Sequence, residues 1–424
     1  MLAVKITWTK SLHFLHQNNK KHATNGFPQV AFFKIMRTKK SIIGKLITTG
    51  SLLVLLIVLL LLKTNVKICE FVATTFARAW IWLTGHIFGW LPFSVFELFV
   101  IVAIVALIVS IVRIVKHLCK HKLKRALSIL LTVVIVALSG IDLYTLTASF
   151  SYGREPLPEE ILTKHTGETV TYQDALNIAE YVVEQVNQSY RATPHDEDGN
   201  VILPSLAELN TLLQQEYKRL DSDYFSPFTP NVKPILNKRI MSEMHTVGIF
   251  FAPSGEPNIN VTRMDVYTIS TMAHELAHAK GVMRESDANT VAVYLLLTSD
   301  NAFLRYSGYV KCMSNALQIV RMFPNSNGDF NRLYDSVDIG IRYELANYSE
   351  HWQQYTLFED ISEFFNDIYL KLQGQGNGTG SYVEPPVTEG TGQLDKDGNE
   401  IVVIRNFSNM QNLLITLYKQ GYML

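Results

Sequence analysis

The chain has 424 residues, a length that allows two or three domains, and its 38 basic and 38 acidic side chains cancel to zero formal charge. With no basic excess to neutralise phosphates, the composition speaks against a general nucleic-acid binder. Three cysteines, Cys69, Cys119 and Cys312, are too few and too scattered for a disulfide framework or a cysteine metal site.

The first 150 residues hold the long apolar runs. Residues 1–41 read as a cytoplasmic N-terminal segment, irregular as far as residue 35, and Met36 opens a basic stretch that suits an alternative start. Three segments then reach the roughly 20 residues needed to cross a bilayer. They run from about Ile42 to Leu62 ("SLLVLLIVLLLL"), from about Phe93 to Val115, with Glu97 near its start, and from about Ala126 to Leu146. A cleaved signal peptide does not fit the first, whose apolar run is too long, and "ARA" (77–79) lies too far downstream.

Positive charge sets the expected orientation. "RTKKSIIGK" (37–45) precedes the first span and "RIVKHLCKHKLKR" (113–125) joins the second to the third, so both belong on the cytoplasmic side. The loop of about residues 64–90 carries only Lys67 and Arg78, and Trp80, Trp82 and Trp90 suit an interfacial position. The membrane domain (42–150) thereby delivers residues 151–424 to the extracytoplasmic side.

That second half has the mixed composition of a globular domain and reads as mostly helical. "EPLPEEILTKH" (155–165) looks like a linker leaving the membrane. Apolar residues recur at helical spacing over residues 171–190 and again over 205–220, where Ser205 caps the start. "TVGIFFAPSGEPNINV" (246–261) differs: β-branched and aromatic residues flank a Pro-Ser-Gly turn, as in a small β hairpin or an edge strand. Helices follow over 266–280 and 286–300, separated by Gly281 in the position after a helix end. Residues 334–371 read as helical, 374–400 as a Gly-rich mobile loop or surface insertion, and 410–420 as a closing helix.

"HELAHAKGVMRESDAN" (274–289) carries the chemistry. On a helix, residues four apart share a face, so His274 and His278 can present imidazole nitrogens to one ion at the roughly 2.0–2.1 Å that zinc requires. Glu275, one residue round, faces the open side of such a metal. There it can take a proton from a zinc-bound water and pass it to a leaving amine. A catalytic zinc wants a third protein ligand. Arg284 is permanently charged, leaving Glu285 and Asp287. Gly281 lets the chain turn back, and Glu285 has the longer reach at the first turn of the next helix. Asp287 then caps that helix or faces solvent.

Other residues have weaker claims. Glu256 and Asn258 lie in "PSGEPNIN", either an edge strand that pairs with an extended substrate or a turn with local hydrogen bonds. Tyr306 and Tyr309 in "RYSGY" (305–309) are candidate oxyanion donors, or simply pack; His245 is a similar candidate. His165, His195 and His351 read as surface residues.

"HELAH" followed by "ESDAN" resembles the gluzincin metallopeptidase pattern, in which HExxH precedes a glutamate in an ExxA[DN] motif. The resemblance implies that His274, His278 and Glu285 bind Zn2+, that Glu275 is the base, and that Asn289 supports a ligand through hydrogen bonding. Only six residues separate His278 from Glu285, far fewer than in most gluzincins. The metzincin pattern does not fit, because its third histidine would fall at Arg284.

From about Met36 to Tyr382 the chain also resembles an uncharacterised bacterial family of three-span membrane proteins with an HExxH domain. The matching pieces are "LPFSVFELF" (91–99), "FFAPSGEPNIN" (250–260), the HELAH–ESDAN stretch, "RYSGY" and "YLKLQGQGNGTGSY" (369–382).

The expectation is a mainly α protein: three transmembrane helices and a mostly helical, zincin-like domain with a small β hairpin or edge strand. It would be a multi-pass protein of the bacterial cell membrane, partnered by the lipid bilayer and a peptide or protein substrate, hydrolysing peptide bonds outside the cytoplasm. The alternative is a non-catalytic membrane scaffold or sensor that keeps a metal-binding HExxH domain. An intramembrane protease is disfavoured, because Asp265, Thr268, Ser270 and Thr271 precede the motif and no apolar 20-residue run contains it.

Overall fold

The computed structural model of the chain describes residues 26–220, 222–382, 385–394 and 400–423. These residues are mainly helical, with strands confined to two small sheets. Helix α1 (Gly26–Leu62) is followed by α2 (Val66–Val72), a π turn (Ala73–Ala77), α3 (Arg78–Phe88), α4 (Val95–Cys119) and α5 (Leu123–Thr147). Among the described residues, three stretches are long and apolar enough to cross a membrane: Ser41–Leu62 of α1, Val95–Cys119 and Leu123–Thr147. Their apolar side chains are largely exposed, as expected of surfaces meant for lipid rather than water. Helix from Gly26 replaces the irregular chain expected as far as residue 35, while residues 1–25 lie outside the described residues.

The chain divides into two compact units. One comprises the residues up to Val58 together with Val102–Asp142; the other comprises Leu59–Ile101 and Leu143–Leu424. In the first, the Lys45 ammonium donates to the Ser128 carbonyl (2.8 Å), the Ser128 hydroxyl (2.9 Å) and the Thr132 hydroxyl (2.6 Å), fastening α1 to α5. A lone lysine so close to a long apolar run is stabilised by such partners.

In the second unit, the segment between the first two spans is helical rather than an interfacial loop. Asn65 caps α2 by accepting the Ile68 N–H (3.2 Å). Trp80 donates its indole N–H to the Pro253 carbonyl (3.1 Å), so it serves a tertiary contact, while Trp82 and Trp90 are exposed. The stretch 155–165 is not a free linker either: Leu157, Ile161 and Leu162 are buried in the core.

Helices α6 (Tyr172–Ala192) and α7 (Leu206–Tyr217) both open with capping boxes, Thr171 with Asp174 and Ser205 with Glu208. Next come β1 (Lys233–Pro234), α8 (Lys238–Glu243), β2 (Gly248–Phe251) and β3 (Glu256–Ile259). The sheet order is β1-β3-β2, with β3 parallel to β1 and antiparallel to β2 in the register Gly248↔Ile259 to Phe251↔Glu256. "EPNI" is therefore the central strand, hydrogen-bonded on both sides, and the edge belongs to β2. The core helices are α9 (Thr268–Ala279), α10 (Glu285–Leu297) and α11 (Ala302–Arg321), with α6 packed along α11 through Ile178, Val182 and Val186. Peripheral helices α12 (Asn327–Asp335), α13 (Ile339–Gln353) and α14 (Glu359–Leu372) follow, the last two within the 334–371 region expected to be helical.

Within the Gly-rich stretch, the described residues include regular elements. A 3-10 turn (Gly378–Tyr382) precedes β4 (Val387–Leu394), which pairs antiparallel with β5 (Glu400–Asn406); α15 (Asn409–Lys419) closes the fold. The β-branched run of β5 supplies the reason, since its Ile404 is buried and accepts the Gly167 N–H through its carbonyl (2.9 Å).

A buried ion pair stitches the inter-span segment to the sheet. Lys233 donates to Glu256 (2.6 Å) and to the Phe88 carbonyl (2.6 Å), and Glu256 also accepts from the Ser254 hydroxyl (2.7 Å) and the Val95 N–H (3.3 Å). Both side chains are almost fully buried. Lys233→Met strands a buried carboxylate and is expected to cost about 3–5 kcal/mol. Denaturation of the full chain in nanodiscs measures this, and the double variant Lys233→Met/Glu256→Gln should recover much of the loss.

Candidate metal centre

Helix α9 is buried along nearly its whole length, with Met272, Ala273, Leu276 and Ala277 inaccessible to solvent. Its small residues let neighbouring elements approach closely, and the Tyr217 hydroxyl donates to the Ala273 carbonyl from α7. A helix held this firmly fixes where His274 and His278 point. Their rings lie one turn apart, with centroids 4.6 Å apart and planes at 84°.

The chain then reverses tightly. Gly281 has φ +96°, its N–H bonds the His278 carbonyl (3.0 Å), and the Val282 N–H bonds the Ala277 carbonyl (3.1 Å). This is the Schellman arrangement, which requires a left-handed residue after the helix and favours glycine there. Arg154, itself buried, clamps the turn by donating to the Gly281 carbonyl (3.2 Å) while paired with Glu70. Arg284 adds bonds to the carbonyls of Arg154 (3.2 Å) and Glu155 (2.9 Å). The reversal sets Glu285, the first residue of α10, against the histidines.

The resulting cluster is compact: one ligand atom each from His274, His278 and Glu285 lie within 4.8 Å of one another. Glu285 Oε2 is 3.1 Å from His274 Nε2 and 3.5 Å from His278 Nε2. A tetrahedral ion with bonds of about 2.0–2.1 Å separates its ligand atoms by about 3.3 Å, which these two distances straddle. The His278 Nδ1 faces the Val282 carbonyl at 2.8 Å, so the Schellman turn also orients the ring and directs Nε2 inward.

Electrostatics favour a cation. Burial alone would raise the Glu285 carboxyl, yet His278 and His274 outweigh it and hold it at about 2. Burial alone would lower His278, but the Glu285 carboxylate holds it up at about 9; burial prevails at His274, which is lowered. A proton held in such a cluster is what a divalent cation displaces. The two imidazoles and one carboxylate form a donor set suited to zinc.

Glu275 lies beside this cluster without joining it. Burial pushes its carboxyl up to about 8, His278 opposing and Glu285 reinforcing. Its Oε2 has no hydrogen-bond partner among the described residues, and neither does His274 Nδ1. Its carboxyl also packs against Gly248 of β2, where a Cβ would stand 2.9 Å from the Glu275 Cδ.

Several tyrosine hydroxyls that the sequence does not single out lie within the field of the Glu285 charge. Tyr152 and Tyr369 are linked (3.1 Å), Tyr369 also meets Tyr144 of α5, and the Tyr382 hydroxyl takes a bond from Asn366 (3.4 Å). Burial raises the hydroxyls of Tyr152, Tyr369 and Tyr382 above the usual tyrosine range, and the Glu285 charge adds to it. They stay protonated and remain donors. Two of them bound the "YLKLQGQGNGTGSY" segment, which is where a signal lay.

The other sequence candidates fall elsewhere. Tyr306 is buried with its hydroxyl committed to Glu344, and Tyr309 packs edge-on against Tyr181. His245 bonds the Tyr355 carbonyl and lies 3.5 Å from Glu359. Glu256 is held in the Lys233 ion pair, and the Asn258 amide donates to the carbonyls of Ile249 (3.2 Å) and Glu256 (2.9 Å). Asn289 donates to the Tyr382 carbonyl (3.3 Å), steadying the tyrosine-bearing segment rather than a member of the cluster. Asp287 is buried, accepting from Arg284 (2.6 Å) and Asn409 (3.0 Å), and does not face solvent. His165 is buried too, its N–H bonded to Asn412 (2.7 Å) and its ring to the Thr416 hydroxyl (3.1 Å); His195 and His351 are half-buried.

Together these features define a mainly helical protein with three bilayer-length apolar helices and a buried His–His–Glu cluster. The chain belongs to the family described as "Protein of unknown function (DUF3810)", whose sequence model matches residues 73–385, about three quarters of its length. The match starts later than Met36 and takes in α4, α5, the cluster and Tyr382. No curated protein and no solved structure matches the chain.

The geometry separates the two acidic candidates. Elemental analysis of the purified full chain should give one metal per chain, lost in Glu285→Ala and kept in Asp287→Ala.

Proposed function

We propose that the chain is a membrane-anchored zinc metallopeptidase that hydrolyses peptide bonds outside the cytoplasm. The observation that carries this reading is the convergence of His274, His278 and Glu285 beside a buried Glu275 whose Oε2 has no hydrogen-bond partner among the described residues. His274, His278 and Glu285 would hold the ion. Zinc, when bound, supplies a Lewis acid that polarises a carbonyl and brings the pKa of a coordinated water to about 7.

The chain's own residues supply the rest. Glu275 accepts a proton on its free Oε2 and returns it to the leaving amine. Strand β2 is the edge of its sheet and touches Glu275 through Gly248, so an extended peptide paired with β2 would run past that carboxyl. The hydroxyls of Tyr152, Tyr369 and Tyr382 offer neutral donors for developing negative charge, the role that Tyr306 and Tyr309 are not placed to fill. The basic segments at 37–45 and 113–125 support a cytoplasmic N-terminus and an extracytoplasmic catalytic domain.

Glu275→Gln tests the reading. It should keep one zinc per chain while lowering turnover of a peptide library by about 10²–10⁴-fold. Zinc present without turnover in the wild type would favour the scaffold or sensor instead, and a chain that binds no metal at neutral pH would overturn the proposal. Gly248→Ala crowds the same carboxyl. It should retain zinc and lose roughly 10–100-fold in kcat, as expected when a reacting group is displaced by a fraction of an ångström to an ångström.

A further inference from the structure

Helix α14 has two unlike faces. One packs inward through Leu370, which is fully buried with Ala148, Tyr152, Ala252 and Met283. The opposite face carries Ile361, Phe364, Phe365, Ile368 and Leu372, at the i, i+3, i+4, i+7, i+11 spacing of a single stripe. That stripe is exposed, Phe364 by 61%, Phe365 by 65% and Leu372 by 75%. Water is a poor solvent for a continuous patch of this kind, so something apolar covers it.

The neighbours of α14 identify the cover. Gln373, the residue after the helix, accepts from Lys63 (3.1 Å) and from the Ser149 hydroxyl (2.6 Å). Lys63 directly follows the first span and Ser149 lies two residues beyond the third. Tyr369 of α14 meets Tyr144, still within the third span. The C-terminal end of α14 is thus tied to the level at which two spans leave the bilayer. The second span agrees: Glu97, in its first turn, accepts the N–H groups of Leu236 and Asn237 (both 2.7 Å), and Leu236 and nearby Ile240 are also exposed. Polar residues Asp360, Glu363, Asp367 and Lys371 occupy the remainder of α14, the pattern of a helix lying in the plane of a lipid interface.

We infer that α14 docks in the bilayer interface with its Ile361–Leu372 stripe among the acyl chains. Leu370 of the same helix packs in one buried group with Met283, two residues before Glu285, so the His–His–Glu cluster lies close behind the lipid-facing helix. Resting on the peptidase reading above, this assigns the substrate class: polypeptides anchored in the same membrane, cut in the stretch that emerges at its surface.

Two measurements on the full chain in nanodiscs test this. In a Cys119→Ser background, where Cys69 and Cys312 are buried, an environment-sensitive dye is attached at Phe364→Cys or, on the opposite side of α14, at Glu363→Cys. Nitroxide-bearing lipids should quench the dye at 364 several-fold more than at 363, and aqueous iodide the reverse. Iodide quenching at 364 without lipid quenching overturns the docking, as does shielding from both quenchers, which would mean a protein covers the stripe. In the second, one peptide is supplied free or tethered to the nanodisc by an acyl chain; the tethered form should be cut at least tenfold faster. Equal rates overturn the substrate class. Turnover of neither, with lipid quenching intact, overturns the peptidase reading and the substrate class with it, while the docking of α14 stands on the first measurement.

Discussion

Everything at the candidate centre depends on the reversal of the chain between Ala279 and Glu285. Helix α9 can align His274 and His278 by its own periodicity, but a carboxylate reaches them only if α10 folds straight back. A left-handed Gly281 makes that turn, and its two Schellman bonds satisfy carbonyls that would otherwise be orphaned at a buried helix end. The Val282 carbonyl released by the same turn faces His278 Nδ1, so one local motif both brings in the third side chain and orients the second. The short spacing between His278 and Glu285 is therefore no obstacle to convergence: six intervening residues are what a Schellman turn and one helix start require.

The reversal is secured from a distance. Arg154 grips the turn at Gly281, stacks on Tyr224 (3.9 Å to the ring centre) and pairs with Glu70, which lies between the first two spans. Removing the carboxylate partner of a buried arginine is costly, so the geometry of the cluster is coupled to the segment that joins the spans. Lys233 and Glu256 tie the sheet to the same segment. The cluster, the edge strand β2 and the membrane-proximal helices are in this sense one construction, and the docking inferred for α14 extends it to the lipid.

Local signals were legible in the sequence. Bilayer-length apolar runs, the capping residues Thr171 and Ser205, the hairpin at residues 246–261, the shared face of His274 and His278 and the glycine after α9 all follow from period, turn chemistry or length. What escaped were features set by partners far along the chain. Glu256 sits in a motif that looks like an exposed edge, but Lys233 and a parallel β1 bury it in the centre of the sheet. Tyr306 and Tyr309 attract attention as tyrosines near glycine, yet Glu344 and Tyr181 claim them. Tyr152 and Tyr369, whose hydroxyls feel the Glu285 charge, come from segments more than eighty residues away on either side. Glycine content also concealed the strand Val387–Leu394, which pairs with β5.

On the reading proposed above, these two imidazoles and one carboxylate bind zinc together. X-ray absorption at the zinc edge of the full chain in nanodiscs tests it most directly. Two imidazole nitrogens and light oxygen donors are expected at about 2.0–2.2 Å from the zinc, with one oxygen lost in Glu285→Ala. A shell containing sulfur, a shell unchanged by Glu285→Ala, or no zinc in the protein would contradict it.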